Sequence, residues 1–439
     1  MYYGGLYVND YRLSRLRDGL TDSLLTVFRD DMYRSREEII ADYRPSAVLE
    51  PDEAAEAIVV HEYSARGADV VERLEALGCN LEHAMRWLDD VLSHEHKQNL
   101  EHSHDLQLEA IRPSIIASLR RTEGYSANHW LKDVEQLGLP NDSDVYADSQ
   151  ERTRSWLFSL LDYWDERYAL RLILAALPEA RVTLDITDLV SIEEVVDPEG
   201  LCESAMESLR IVGSIYAPTV VLTEGRTDAS ILSESLQILH PHLTDVIKFM
   251  DFERRPEGGA GPLVGLVRAF AAAGISNRVV AIFDNDSAAA EALTSLDIRA
   301  LPPNIRVRQY PSIELGRSYP TLGPPRSATE EVEIVQAEVN GVAGSIELYL
   351  GTDVLCTTDG SLTPIQWRNY SVKLRRYHGE IASKGRLQEK FFQKAALATQ
   401  DSGVIQYQDW SGLTAILREI REAIADIATL DSLEYTPRL

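Results

Sequence analysis

Short apolar runs and helix-period stretches alternate through residues 217–310. The runs 219–223, 246–250, 279–283 and 305–309 are rich in β-branched residues and read as strands. Between them, 229–239, 262–273 and 287–296 repeat their apolar positions at helical spacing, and Gly274 sits where a helix C′ glycine belongs. Alternation at this spacing predicts βαβ units and a parallel sheet. Upstream, residues 66–177 are mostly helix-patterned. Leu81, Met85, Leu88 and Leu92 share one face, and Ser155 to Leu177 is a second periodic stretch stopped by Pro178. Leu6-Tyr7-Val8 and Tyr11-Arg12-Leu13 flank Asn9-Asp10 and predict a small hairpin, and Arg181 to Ile186 predicts a strand. Pro140 to Asp144 reads as a linker, and Pro320, Pro324 and Pro325 mark a loop. At the other end Leu413, Ile416, Leu417, Ile420, Ile424 and Ile427 form one helix stripe, suited to packing on the body of the protein or on a second copy.

The expected fold class is therefore α/β. A mostly helical N-terminal region with a small β element spans 1–210. A parallel sheet flanked by helices spans 211–355, and a basic, mainly helical region spans 356–439. A chain of 439 residues exceeds one ordinary core, and an apolar fraction of 44% fits globular folding. The three cysteines, Cys79, Cys202 and Cys356, are far apart and form no CxxC pair, which fits a reducing compartment and argues against a zinc ribbon. No apolar run reaches the roughly 20 residues that span a bilayer, and no basic segment leads into an apolar core at the N-terminus. The expectation is a cytoplasmic protein without membrane contact. The net charge of −27 argues against a chain that coats nucleic acid with its whole surface, while leaving room for a local basic groove.

Two of the strand runs end in acid. Thr219 to Thr223 leads into Glu224-Gly225, with Asp228 four residues after the glutamate. Val279 to Phe283 leads into Asp284-Asn285-Asp286. The C-terminal ends of parallel strands converge on one crevice. Residues i and i+2 of an extended segment share a face, so Asp284 and Asp286 have the spacing to grip one ion. Gly225 lets backbone approach a ligand closely. Four carboxylates in one volume repel unless a cation lies between them, and all-oxygen donors suit Mg²⁺ or Mn²⁺. Either run alone also fits an ordinary acidic helix start or an Asp/Asn turn.

Strand-Glu-Gly-x-x-Asp followed by strand-Asp-x-Asp resembles the Toprim domain of topoisomerases, bacterial primases and overcoming-lysogeny-defect nucleases. The resemblance implies a Mg²⁺ or Mn²⁺ pocket and phosphodiester chemistry. Glu224, Asp284 and Asp286 match the domain's glutamate and paired aspartates, and Asp228 the extra acid of the nuclease branch. Glu224 then doubles as a general acid or base. By order in the chain, Glu347 and Lys384 are candidates for the further acid and the lysine of those nucleases, with Glu347 read as another strand-end acid. The run Gly5 to Leu13, the run Leu81 to Ala84, Leu184 to Leu189 and Ile346 to Gly351 resemble bacterial HEPN/Toprim-associated proteins, which implies a place in anti-phage defence. HEPN ribonucleases carry an Arg and a His four to six residues apart. No histidine here has an arginine five or seven positions before it, so a helical fold is implied without that ribonuclease activity.

Residues 361–400 hold eight basic residues, Arg368, Lys373, Arg375, Arg376, Lys384, Arg386, Lys390 and Lys394, against Glu380 and Glu389. Trp367, Tyr370, Tyr377, Phe391 and Phe392 are interleaved. Cations neutralise phosphates and aromatic faces stack on bases, so this segment is the expected nucleic-acid groove. For the nuclease as a whole the expected substrate is DNA in preference to RNA. Gly258 to Gly261 precedes a helix but lacks the Lys-Ser/Thr of a P-loop. His94, His96, His102 and His104 read as a polar helix face. The leading expectation is a metal-dependent nuclease, acting as a homo-oligomer or with a defence partner. The alternatives are a non-catalytic nucleic-acid or nucleotide-binding module and a haloacid-dehalogenase-type phosphatase with Asp284 as nucleophile. Ser287 and the unexplained Glu224-Gly225 depart from the phosphatase pattern.

Overall fold

The computed structural model describes residues 4–16, 20–39, 57–105, 123–140, 149–161, 165–213, 216–250, 258–323 and 333–431. The chain divides into two compact units, Met1–Tyr216 and Ala217–Leu439. Among the described residues no helix is long and apolar enough to cross a membrane. Most of the Pro140–Asp144 linker lies outside the described residues.

The first unit is built on a five-stranded antiparallel sheet. Its strands are β1 (Gly5–Val8), β2 (Tyr11–Arg15), β3 (Tyr33–Ile39), β4 (Ala57–Arg66) and β5 (Arg181–Asp185), in the order β2-β1-β5-β4-β3. The predicted hairpin is β1–β2, turned by Asn9 at φ 50°. The sheet is larger than the small β element expected. The segment Tyr33–Ile39 reads Tyr-Arg-Ser-Arg-Glu-Glu-Ile, and at a sheet edge Arg34, Ser35, Arg36 and Glu37 are exposed, so no apolar period betrays it. The expected helices follow at Gly67–Ala76, Leu81–Asp105, Ala127–Leu137, Ser149–Ser159 and Glu166–Ala176. They bury Leu74, Leu88, Trp130, Leu157, Leu170 and Ile173 in one core with Leu6, Val182 and Leu184. Trp130 Nε1 donates to the Leu157 carbonyl at 2.9 Å, which satisfies the one polar atom of that buried indole.

The second unit holds the predicted parallel sheet. Its strands are β6 (Thr219–Leu222), β7 (Ile247–Phe249), β8 (Val279–Phe283) and, beyond the two-residue β9 (Asn285–Asp286), β10 (Ile305–Gln309). The order is β10-β8-β6-β7, all parallel. Every residue of β8 is buried. Val279, Ala281 and Phe283 meet Leu263, Val264 and Val267 of the helix Ala260–Ala273 on one face. Val280 and Ile282 alternate to the other, where the helices Arg226–Leu239 and Ser411–Asp431 pack. Full burial of each of these side chains other than Ala281 is worth about 1.5–3 kcal/mol. Gly274 ends its helix in the left-handed region, φ 63° and ψ 39°.

The C-terminal stripe is spent inside the chain. Leu413, Ile416, Leu417, Ile420, Ile424 and Ile427 are all buried, against β10, β8 and the helix Arg226–Leu239. The expected helical C-terminal region also contains strands. After β11 (Tyr319–Leu322), β12 (Ile334–Ala337) and the short β13 (Ala343–Gly344) come β14 (Ile365–Ser371) and β15 (Arg376–Ile381), forming the sheet β12-β11-β14-β15. The helix Lys384–Gln400 follows.

Candidate metal centre and nucleic-acid interface

β6 and β8 are neighbours, with Val220 opposite Val279 and Leu222 opposite Ala281. Their C-terminal ends therefore lie side by side. The chain leaves β6 towards β7 on one side and leaves β8 towards β10 on the other. The crevice between these ends is the point at which the strand order reverses, where open α/β sheets bind ligands.

Glu224 lies just past β6 and is buried. Its Oε1 accepts the backbone N–H of Asp284 at 3.0 Å, across a separation of 60 residues. Its carbonyl accepts the N–H of Gly259 at 2.8 Å, so the glycine-rich loop packs on the backbone of this residue. Asp228 sits in the first turn of the helix Arg226–Leu239, where its Oδ2 accepts the Gly225 N–H at 2.9 Å. That bond is the ordinary capping arrangement, and Asp228 makes it while still sensing the acids around it. Asp284 follows the last residue of β8. Asp286 lies on β9, paired with Ala343, and its Oδ1 caps the helix Ser287–Leu293 by accepting the Ala289 N–H at 2.8 Å.

Glu347 is not at a strand end. The apolar run that holds it, Ile346–Tyr349, is a buried 3-10 turn, because Ile346, Leu348 and Tyr349 all find core positions and none pairs with a strand. Its side chain still joins the cluster. Ser345 Oγ donates to Oε2 at 2.7 Å and Gln388 Nε2 to Oε1 at 2.8 Å. Lys384, the first residue of its helix, places Nζ 3.8 Å from Glu347 and 3.6 Å from Glu380.

The electrostatics register this crowding. Burial pushes Glu224 up to about 7, opposed by the Asp284 N–H and reinforced by the charges of Asp286 and Asp228. Burial also pushes Asp228 up to about 7, with Glu347 adding to the effect and the Gly225 N–H and Lys384 opposing it. Asp284 is raised well above the carboxylate range by burial, then by Asp228, Glu224, Asp286 and Glu347. Lys384 is raised: the carboxylates of Glu347, Glu380, Asp284 and Asp228 outweigh its own desolvation. Asp284 Oδ1 is closed off from solvent and has no hydrogen-bond partner. A buried carboxylate oxygen without a donor is costly and points to a missing positive partner. The donor set is entirely carboxylate oxygen, which fits a hard divalent cation.

Three neighbours escaped the sequence reading. Tyr310 is buried beside the acids. Burial and the charges of Asp228, Asp284 and Glu224 hold its phenol in the neutral form. Tyr349 stacks edge-on against it at 5.3 Å, and Asn285 Nδ2 lies 3.4 Å from the Tyr349 hydroxyl. His378, on β15, brings Nδ1 to 3.8 Å from Asp286 Oδ2. A histidine two residues after the Arg375-Arg376 pair carries no local pattern that marks it.

The basic segment separates into two groups. Lys394 is buried, donates to the Leu350 carbonyl and Asp353 Oδ1 at 2.9 Å each, and lies over the Trp410 ring at 4.5 Å. Lys390 donates to the carbonyls of Val354 and Cys356. Both lysines are thus occupied in tying their helix to the residues before β14, and Phe391 is core. Arg368, Lys373, Arg375 and Arg386 are exposed and Arg376 is half-buried. Arg368 meets Glu380 at 3.4 Å across a half-exposed pair, which contributes little to stability.

No curated protein and no solved structure matches the chain. Residues 2–205 match the family model described as HEPN/Toprim N-terminal domain 1, which associates this chain with HEPN/Toprim proteins.

Proposed function

We propose that the second unit is a Toprim-type, metal-dependent nuclease that cleaves the phosphodiester bonds of nucleic acid, DNA in preference to RNA. The observation that supports this reading is the Glu224–Asp284 hydrogen bond at the reversal point of a parallel sheet, with the charges of Asp228 and Asp286 near enough to raise the Asp284 carboxyl and with Asp284 Oδ1 unpartnered. With Glu347 they would hold Mg²⁺ or Mn²⁺. Such an ion would supply Lewis acidity and offset charge that develops on the phosphate. Lys384 stands beside these acids and offers its ammonium to the same phosphate. Arg368, Lys373, Arg375, Arg376 and Arg386 would neutralise the flanking phosphates. The match of residues 2–205 supports the HEPN/Toprim association, and the resemblance noted in the sequence supports a role in bacterial anti-phage defence with a partner protein.

A haloacid-dehalogenase-type phosphatase would leave Glu224, Asp228 and Glu347 without a task. The test is incubation of the purified protein with plasmid, linear duplex and single-stranded substrates, with Mg²⁺, with Mn²⁺ and with chelator. Metal-dependent cleavage lost in Glu224→Ala and Asp284→Ala supports the reading. Cleavage unchanged in both variants removes this site from consideration, and tight binding without product under either metal favours a binding module.

A further inference from the structure

β14 and β15 form a hairpin whose aromatic residues gather at its outer end. Tyr370 pairs with Tyr377 across the strands, and their rings are 5.1 Å apart at 68°. Trp367 joins them, 6.4 Å from Tyr377 at 57°. An irregularity in the ladder between Trp367 and Tyr370 adjusts the register there. The cluster is open to solvent, with Tyr370 50% and Tyr377 39% exposed. A cross-strand pair steadies a hairpin by itself. Glue of that kind does not require two half-exposed rings on a hairpin that also carries Arg368, Lys373, Arg375 and Arg376, in a chain of net charge −27.

The hairpin is fixed to the acids rather than free of them. Asp286 caps the helix Ser287–Leu293. The same helix holds the hairpin at its tip, where Ser371 Oγ donates to Glu291 at 3.0 Å and Lys373 Nζ donates to Thr294 just beyond it at 2.9 Å. Ser287 Oγ donates to the Tyr377 carbonyl at 3.1 Å. On the next residue, His378 reaches Asp286. Arg376 adds a cation at this junction. Its Nε is enclosed without a hydrogen-bond partner, and among the described residues its guanidinium has no ion pair. One of its terminal nitrogens lies beside Gly341, 3.7 Å from where a side chain there would begin, at ordinary contact distance.

We propose that Trp367, Tyr370 and Tyr377 form a stacking platform for unpaired bases, with Arg376 gripping the adjoining phosphate, so that the substrate is single-stranded nucleic acid. Bases in a duplex already stack on each other and offer only their edges and backbone, whereas unpaired bases present whole faces to aromatic rings. The proposal rests on the nuclease reading for what happens to the strand, but its binding step stands apart from that reading.

The test uses the full chain and a short fluorescein-labelled oligonucleotide, single-stranded or as a blunt duplex. Anisotropy is measured in chelator at constant salt. The single strand binds at least about tenfold tighter than the duplex, and Tyr370→Ala and Tyr377→Ala each lose about tenfold on the single strand only. Tyr370→Phe and Tyr377→Phe, which keep the ring, retain wild-type affinity. Arg376→Gln weakens both substrates. Equal affinity for the two substrates overturns the proposal, as does an unchanged single-strand affinity in a Tyr370→Ala protein that melts like wild type. Tyr370, the more exposed ring, serves if Tyr377→Ala does not fold. Asp284→Ala separates the two readings. Its normal single-strand binding without cleavage agrees with both, whereas cleavage at wild-type rate defeats the nuclease site and leaves the platform intact.

Discussion

The Asp284 backbone N–H donates to Glu224 Oε1 at 3.0 Å, which locks the end of β6 to the end of β8. The bond needs an oxygen at that place, not a charge. Glu224→Gln retains the oxygen and Glu224→Ala does not. Glu224→Gln is therefore expected to melt at or above the wild-type temperature without metal, and Glu224→Ala below Glu224→Gln. Both lose metal-dependent cleavage by about 100-fold or more, since an oxygen donor to the ion is altered or removed. Thermal melts and cleavage rates on the same preparations check this, and equal melting of the two variants would show that the bond has no structural weight.

Asp284→Asn removes the most heavily desolvated charge of the cluster. The metal-free variant is expected to melt roughly 2–4 °C higher than wild type, because burial and four neighbouring acids oppose ionisation there. Its stabilisation by Mn²⁺ is smaller. A lower melting temperature without metal would mean that the Asp284 carboxylate is compensated by something other than a cation.

The metal-free protein has a pH dependence of definite sign. The folded-state values of Glu224 and Asp228 are raised to about 7, and Asp284 is raised in the same direction. A raised value means that the folded state holds these protons more tightly than the unfolded chain. The contribution of Glu224 and Asp228 is complete below the ordinary carboxylate range and is lost as pH climbs through about 7, and that of Asp284 has the same sign. Melting in chelator is thus expected to fall between weakly acidic and weakly alkaline buffer. Mg²⁺ or Mn²⁺ restores it, with the larger gain on the alkaline side. A metal effect that is the same at both ends would disconnect the ion from these acids.

The lysines of the basic segment divide by task. Lys394 is buried among Asp353 and the carbonyls of Leu350 and Asp409. Lys394→Ala leaves the carbonyls of Leu350 and Asp409 without this donor and the partly exposed Asp353 without its closest partner, and is expected to cost about 1–3 kcal/mol. Lys373 sits at the exposed hairpin tip, and Lys373→Ala stays within about 0.5 kcal/mol while weakening nucleic-acid binding and flattening its salt dependence. Denaturant melts and binding at several salt concentrations separate the two. A stability loss on Lys373→Ala equal to that on Lys394→Ala would refute the division.

Much of the second unit was legible because its signals are local. β8 is five apolar residues that end in Asp284, and the helix Ala260–Ala273 is apolar with a glycine at its end. Glu224 and Asp228 were visible from their place after β6. What the sequence concealed depends on tertiary pairing. β14 and β15 read as basic, helix-like sequence because the turn between them has no Asn-Gly or Asp-Gly, and Arg375 itself takes φ 54°. Tyr310 and His378 gain meaning only from the charges that the fold sets beside them. Lys390 and Lys394 look like surface cations until the carbonyls they serve are seen.

The helix Ser411–Asp431 closes one face of the parallel sheet against β8 and β10. During synthesis, β6 and β8 emerge well before this cover. Until then Val280 and Ile282 belong to an unfinished layer, vulnerable to association with other nascent chains. The 3-10 turn that carries Glu347 likewise gains its contact with this helix only once that late segment docks. Closure of this layer thereby waits on that segment, and ribosome stalling ahead of residue 411 would yield a chain with the acidic motifs present but one face of β8 and β10 uncovered.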